Sequence, residues 1–209
     1  TNAVDQVVFT SSAGSINGAG LVSGETVDLN AASGIGSTTG VELSVSNISV
    51  DTISGDIEVD NVLGAAVSLN SMTTGSGAIA FDQLGGGDIT FVGSVSSGGV
   101  VDGGSITLTA SHALVVNNTV SSVLGTGGTL LVSGATLNGA VTVGAGDVVI
   151  QGGSVDLVVG SAIVSDGDIA LTALRDVIVN AVVDANNGGS IVVSADSNAA
   201  ADPGSGVGG

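Results

Sequence analysis

Residues 167–196 read GDIALTALRDVIVNAVVDANNGGSIVVSAD, and this stretch decides the fold. It opens with Gly-Asp, after which Ile169 and Leu171 alternate with smaller residues. Such a period of two is the pattern of a half-buried β-strand. Two further aliphatic runs follow, and Asn187-Gly188 supplies left-handed backbone positions for a corner before the opener returns as GSIVV. The stretch predicts one turn of a coil with two main strands and a third short one.

The same opener recurs along most of the chain. It reads GDIEV from Gly55, GAIAF from Gly77, GSITL from Gly104, GTLLV from Gly128, GDVVI from Gly146, GDIAL from Gly167 and GSIVV from Gly189, with spacings between 18 and 27 residues. Internal periods of this size indicate a solenoid, here an all-β parallel β-helix of about nine rungs of roughly 22 residues. The shared register predicts that the following side chains lie inside: Ile57, Val59, Ile106, Leu108, Ile169, Leu171, Ile191 and Val193. Asn17-Gly18 and Asn138-Gly139 are predicted to form corners like Asn187-Gly188.

Composition agrees with a thin, layered interior. Apolar residues make up 43% of the chain, yet there are three Phe and neither Trp nor Tyr. The net charge is −18, because 19 acidic residues face a single Arg and no Lys. This balance predicts repulsion from nucleic acid and from anionic membrane surfaces. No catalytic residues are expected, since polysaccharide lyases of this architecture need cationic groups to stabilise a developing carbanion.

The quoted stretch resembles the repeats of filamentous haemagglutinin-type adhesins, which carry G-[DNS]-[IV]-x-L-T-A followed by R/G-D-[VIL]-x-[LV]. GSITLTAS from Gly104 and GDITF from Gly87 resemble the same unit. The resemblance covers residues 41–195 reasonably and residues 1–40 weakly. It implies a right-handed parallel β-helix in a large, exported bacterial surface protein, at the cell surface or outside the cell.

We expect residues 1–209 to form one solenoid segment, with residues 1–40 less regular and residues 196–209 a Gly-rich turn or linker to the next unit. Neither end reads as a polar cap, and solenoid ends otherwise expose an apolar cross-section. The expected partners are therefore copies of the chain or adjacent repeats, stacked end to end.

Few side chains suggest a site. Asp166 and Asp168, in Ser-Asp-Gly-Asp, form a weak Ca²⁺ candidate, with a metal-free corner as the alternative. No other cofactor is expected. The remaining candidates are interpreted as an outward acidic face (Asp56, Glu58 and Asp60), a surface ion pair (Arg175), a strand or corner histidine (His112) and interior filler (Phe81 and Phe91).

The leading functional hypothesis is a structural repeat module of an extracellular filament, sheath or surface stalk. An adhesin module that recognises a host receptor or carbohydrate is the alternative. A β-helix enzyme is disfavoured by the missing cations. Ice binding needs regular Thr ladders, and most rungs do not repeat the pair Thr107 and Thr109.

Overall fold

The computed structural model describes residues 5–85, 87–93, 95–97, 106–116, 120–122, 129–137, 141–143, 147–151 and 156–195, with side chains included except at 91, 106–146 and 151. Every regular element in these ranges is a β-strand. The strands are β1 (Gln6–Ser11), β2 (Val22–Ser23), β3 (Thr26–Ala31), β4 (Val41–Ser44), β5 (Asn47–Thr52), β6 (Ile57–Asn61), β7 (Val67–Thr74), β8 (Ile79–Gln83), β9 (Ile89–Phe91), β10 (Val95–Ser97), β11 (Ile106–Val116), β12 (Val120–Ser122), β13 (Thr129–Leu137), β14 (Val141–Val143), β15 (Asp147–Gln151), β16 (Leu157–Val159), β17 (Ile163–Ser165), β18 (Ile169–Thr172), β19 (Val177–Val179), β20 (Val183–Ala185) and β21 (Ile191–Ser194).

The strands pair in parallel, each with the strand one turn away. The longest ladder runs β1, β3, β5, β7, β10, β12, β14, β17 and β20. Gln6 lies opposite Thr26 and Val95 opposite Val120, so a turn takes between 20 and 25 residues along this ladder. The predicted parallel β-solenoid is therefore confirmed, and its right-handed sense stays a prediction.

Two further ladders complete the coil. One joins β6, β8, β11, β13, β15, β18 and β21, and the other joins β7, β9, β11, β13, β16 and β19. At the N-terminal end the first of these continues from β6 through β4 to β2, and isolated bridges link Ile16 to Ile35 and Ile35 to Ile57. The stretch from residue 167 forms three short strands, β18, β19 and β20.

The cross-section of the rod changes along its length. Val27 and Leu29 are buried neighbours on the straight strand β3, two residues apart. Their ladder equivalents Leu69 and Met72 are three residues apart, because β7 carries a register shift at Asn70. Farther along, the equivalents at 159 and 163 are four apart and lie on separate strands, β16 and β17. We call β1 to β6 the straight turns and β9 to β21 the three-sided turns.

Inward aliphatic side chains form one continuous core. Ile57, Val59, Ile169 and Leu171 are at most 1% exposed, which confirms their predicted place. Phe81 is also fully buried, as predicted. The side chains of 91, 106, 108 and 112, on which other predictions fall, lie outside the described positions.

The prediction that Ile191 and Val193 are buried is wrong. They pair in register with Ile169 and Leu171, so they point inward as expected. They are nevertheless 45% and 52% exposed, because β21 has a paired strand on one side only among the described residues.

The corner predictions have mixed outcomes. Asn187 and Gly188 do adopt left-handed backbone, with φ of 52° and 87°. Asn17-Gly18 was predicted wrongly, since neither residue has positive φ; the Asn17 amide oxygen instead accepts a hydrogen bond from the Thr38 N–H at 3.0 Å. Residues 138 and 139 lie outside the described part of the chain.

The opener glycine recurs because successive turns approach closely there. A Cβ added at Gly77 would meet the backbone carbonyl of Gly55, and Gly77 also has a φ of 132°. At Gly189 an added Cβ would meet the carbonyl of Gly167. A side chain at these positions would push neighbouring turns apart.

Candidate functional site

A recurring carboxylate cap joins successive turns at their corners. Asp56 Oδ1 accepts a hydrogen bond from the Ala78 N–H at 2.8 Å, and Asp147 Oδ1 accepts one from the Asp168 N–H at 2.9 Å. Each donor directly precedes a strand, β8 and β18 respectively, where the ladder has not yet begun. The aspartate one turn earlier supplies each of these exposed N–H groups with an acceptor. Sequence reasoning missed this role, although the Gly-Asp pair at the start of the openers carried the signal.

The predicted calcium residue Asp168 belongs to this set of caps. Its Oδ1 accepts hydrogen bonds from the Ser190 N–H at 2.7 Å and from the Ser190 hydroxyl at 3.0 Å. These two hydrogen bonds lower the pKa of Asp168. Asp166 lies in the same corner, where the Ser165 hydroxyl accepts a hydrogen bond from the Gly167 N–H at 3.0 Å. Within the described ranges no three acidic or histidine side chains are grouped to hold a metal ion, and the Ca²⁺ site stays a prediction.

Arg175 forms the predicted surface ion pair, although its main partner was not foreseen. Its Nη2 lies 2.6 Å from Asp156 Oδ2 and its Nε 2.9 Å from Asp156 Oδ1, a forked contact with the preceding turn. The hydrogen bond from Arg175 lowers the pKa of Asp156. Asp156 also caps the next turn, since its Oδ1 accepts the Asp176 N–H at 3.2 Å. Arg175 is 64% exposed, so solvent screens the pair, and its main effect is to hold two caps in place.

Two buried polar ladders lie where the cross-section changes. Asn61 is fully buried; its amide nitrogen donates to Gln83 Oε1 at 2.8 Å, and its Oδ1 accepts the Val45 N–H at 3.1 Å. At another corner the hydroxyls of Thr52 and Thr74 lie 3.3 Å apart, and Thr52 donates to the Ser54 carbonyl at 2.7 Å. No sequence argument anticipated these ladders; a Thr three residues before Gly55 and again before Gly77 was the available signal.

Acidic side chains also stack on the outer face of β4, β6 and β8. Glu42 lies opposite Asp60, which lies opposite Asp82. Partial burial raises the pKa of Asp60, and the charges of Asp82, Glu58 and Glu42 raise it further. Asp60 faces outward, as predicted, and the repulsion along this stack works against the turns that carry it.

A shallow groove of about 310 Å³ runs across the outer edge of the straight turns. Its polar lining includes Asn30 and Asp51. Asp51 Oδ1 already accepts a hydrogen bond from the Ser71 hydroxyl at 2.6 Å, and Asn30 donates to Asp28 at 2.8 Å. The groove is therefore an internally hydrogen-bonded surface.

Both end turns expose inward-facing core residues. Val179 is 44% exposed, whereas Val159, its partner one turn earlier, is fully buried. At the other end Phe9 is 43% exposed, whereas Leu29 opposite it is fully buried. A cavity of about 410 Å³ opens beside Phe9 at this end. The same ladder position thus changes from buried to half exposed between an interior turn and the last described turn at either end.

Comparison of the chain with protein-family profiles, curated proteins and solved structures found no match. Among the described residues there is no helix long and apolar enough to cross a membrane. The site is therefore interpreted from its own geometry: a row of inter-turn caps that ends in two apolar terminal turns.

Proposed function

We propose that this chain is a structural repeat module of a bacterial extracellular filament, sheath or surface stalk, in which solenoid turns continue past both ends. The observation that carries the proposal is the exposure of core positions in the terminal turns. Val193 is 52% exposed where Leu171, one turn earlier, is fully buried.

The physical argument concerns the cross-section of the rod. A terminal strand of a parallel ladder leaves a row of N–H and C=O groups without a ladder partner, above an apolar surface. A further turn covers both at once. Phe9, which is 43% exposed, offers such a surface at one end, and β19 to β21 offer it at the other.

Charge favours axial contacts over lateral ones. The chain carries a net charge of −18, and acids such as Asp56 and Glu58 lie on its outer faces. Two rods side by side would bring these faces together and repel each other. Contact along the axis instead joins apolar surfaces, which favours a long unbranched structure.

The extracellular placement rests on the resemblance of residues 167–196 to filamentous haemagglutinin-type repeats. The corner chemistry supports that comparison, because Asp168 and Asp176, in the motif positions G-D and R-D, respectively accept an inter-turn hydrogen bond and donate one. A motif whose polar residues link consecutive turns suits a protein built from many turns.

Immunogold electron microscopy of intact cells that make the parent protein tests the proposal. Antibodies raised against the chain are expected to label extended surface structures, with gold particles following their length. Permeabilised cells serve as the control for an internal pool. Label found only after permeabilisation would overturn the proposal.

A further inference from the structure

The two terminal turns differ in shape. At the N-terminal end Val7 and Phe9 lie two residues apart on the single straight strand β1. At the C-terminal end their ladder equivalents, Val179 and Val183, lie four residues apart on β19 and β20. A straight strand laid over this end turn can stay in register with β19 or with β20, but not with both.

The rod itself never makes that change in one step. Between the straight and the three-sided turns it passes through β7, where Leu69 and Met72 are three residues apart. The close approach of Gly93 to the Asn70 carbonyl, where an added Cβ would collide, accommodates the new corner. The spacing thus grows by one residue per turn over two turns, to three at β7 and to four at β9 and β10, and it is still four at β19 and β20.

We propose that the surface formed by β19, β20 and β21 binds a three-sided parallel solenoid turn, and not the first turn of a second copy of this chain. The inference rests on the proposed function, since it specifies what continues the rod at this end. Continuity with the interior interfaces supports it. Val177, Val183 and Ile191 repeat the inward positions of Leu157, Ile163 and Ile169 one turn earlier.

Asp176 is the positioning residue for the added turn. Asp156 caps the Asp176 N–H, just as Asp147 caps Asp168 and Asp168 caps Ser190. Asp176 therefore offers its carboxylate to the N–H of the equivalent residue in the next turn. Its side chain is 62% exposed, and Arg175 Nε lies 3.4 Å from its Oδ2, which restrains the carboxylate at the corner.

The test lengthens the full chain by one turn. A second copy of residues 174–195 is inserted directly after Ala195, which repeats the corner between Ala173 and Val177 and keeps the spacing of 22 residues between Ile169 and Ile191. The matched control inserts residues 24–45, the same length from the straight turns. Hydrogen–deuterium exchange of the β19–β21 amides is measured by mass spectrometry. We expect the three-sided insert to slow exchange about tenfold, the effect of about one net hydrogen bond, and the straight insert to leave it unchanged.

Variants of the extended chain isolate Asp176. Asp176→Ala is expected to cancel the protection of the inserted turn, whereas Asp176→Asn, which keeps an acceptor oxygen, restores part of it. In the chain without an insert, Asp176→Ala is expected to leave β19–β21 exchange unchanged, which separates positioning from general stability. Equal loss of protection in both backgrounds would overturn the role of Asp176.

The outcomes distinguish this inference from the proposed function. If both inserts protect equally, or if the unmodified chain sediments as head-to-tail oligomers, the shape specificity is wrong while axial continuation stands. If neither insert protects the end turn, axial continuation at this end is wrong as well.

Discussion

The straight turns and the three-sided turns enclose the same kind of core with different outlines. In the straight turns one six-residue strand, such as β3 or β5, covers a whole side. In the three-sided turns the equivalent stretch is divided by a corner into two three-residue strands, such as β16 and β17. The inward residues are aliphatic in both regions, so core composition does not decide the outline. The outline is decided by the number of residues between two neighbouring inward positions on the same side of the rod.

Side chains link successive turns in two ways, from inside the rod and at exposed corners, and exposed links such as that of Asp56 occur before the three-sided turns as well. Where the outline changes, buried side chains such as Asn61 and Thr74 link successive turns from inside. In the three-sided turns the described links lie outside, at exposed corners, through Asp156 and Asp168. Perturbing inside links, outside links and core positions separately therefore measures what each region depends on.

The largest effect is expected from placing a charge in the core. Leu171→Asp buries a carboxylate without a partner and should destabilise the fold by about 3–5 kcal/mol. Val193→Asp, at the equivalent position of the end turn, should cost far less, because that side chain is 52% exposed. Urea unfolding followed by circular dichroism compares them. If both variants lose the same free energy of unfolding, the end turn is covered by other residues in solution.

The second largest loss of stability is expected from removing a buried side chain that links two successive turns. Asn61→Ala deprives the Val45 N–H and Gln83 Oε1 of a hydrogen-bond partner in a buried corner, at a cost of about 2–3 kcal/mol. Asn186→Ala, at an exposed corner, is the matched control and should be nearly neutral. The free energy of unfolding from urea titration is the measurement. A neutral Asn61→Ala would mean that water replaces the amide and that the ladder contributes little.

The cross-section change itself is sensitive to one methyl group. Gly93→Ala places a Cβ against the Asn70 carbonyl and should destabilise the fold by about 1–2 kcal/mol through overpacking. Gly18→Ala is the control, since nothing lies within 4 Å of its added Cβ and its φ is not positive. Calorimetric unfolding of both variants is expected to separate them. If Gly93→Ala is as stable as the control, the backbone at this corner can shift enough to keep the added Cβ away from the Asn70 carbonyl.

Sequence reasoning reached the fold because the opener repeats a period of two within a period of about 22. It placed Ile57 and Leu171 in the core for the same reason. It missed the exposure of Val193, because alternation tells which way a side chain points and not whether another turn covers it. It missed the change of outline because the insertion at Asn70 is a single residue in a chain whose spacings already vary.

The functional side chains were harder to interpret from sequence. Asp56 was recognised as an outward acid and Asp168 as a Ca²⁺ candidate, but the acceptor role of each depends on an N–H that lies 22 residues further along the chain. Asp156 was not singled out at all, because its partner Arg175 belongs to the next turn. Contacts between turns require the register, which varies between 20 and 25 residues along one ladder.

The smallest effect expected is the response of two aspartates to pH, and it has opposite signs. The raised pKa of Asp60 means that the folded state binds its proton more readily than the unfolded state, whose value is near 3.8. Its contribution to stability is therefore fully present below that value and is lost as pH rises through the folded pKa. The lowered pKa of Asp168 has the reverse consequence: its contribution is present above 3.8 and is lost as pH falls through the folded pKa.

At neutral pH, Asp60→Asn should consequently be more stable than the parent chain by less than about 1 kcal/mol, and Asp168→Asn should be less stable. Each difference should vanish in acid, once the pH lies below both the folded and the unfolded pKa of that aspartate. Urea titrations across this range compare the two variants with the parent chain. If Asp60→Asn destabilises the chain at neutral pH, the stack with Glu42 and Asp82 does not repel as its geometry indicates.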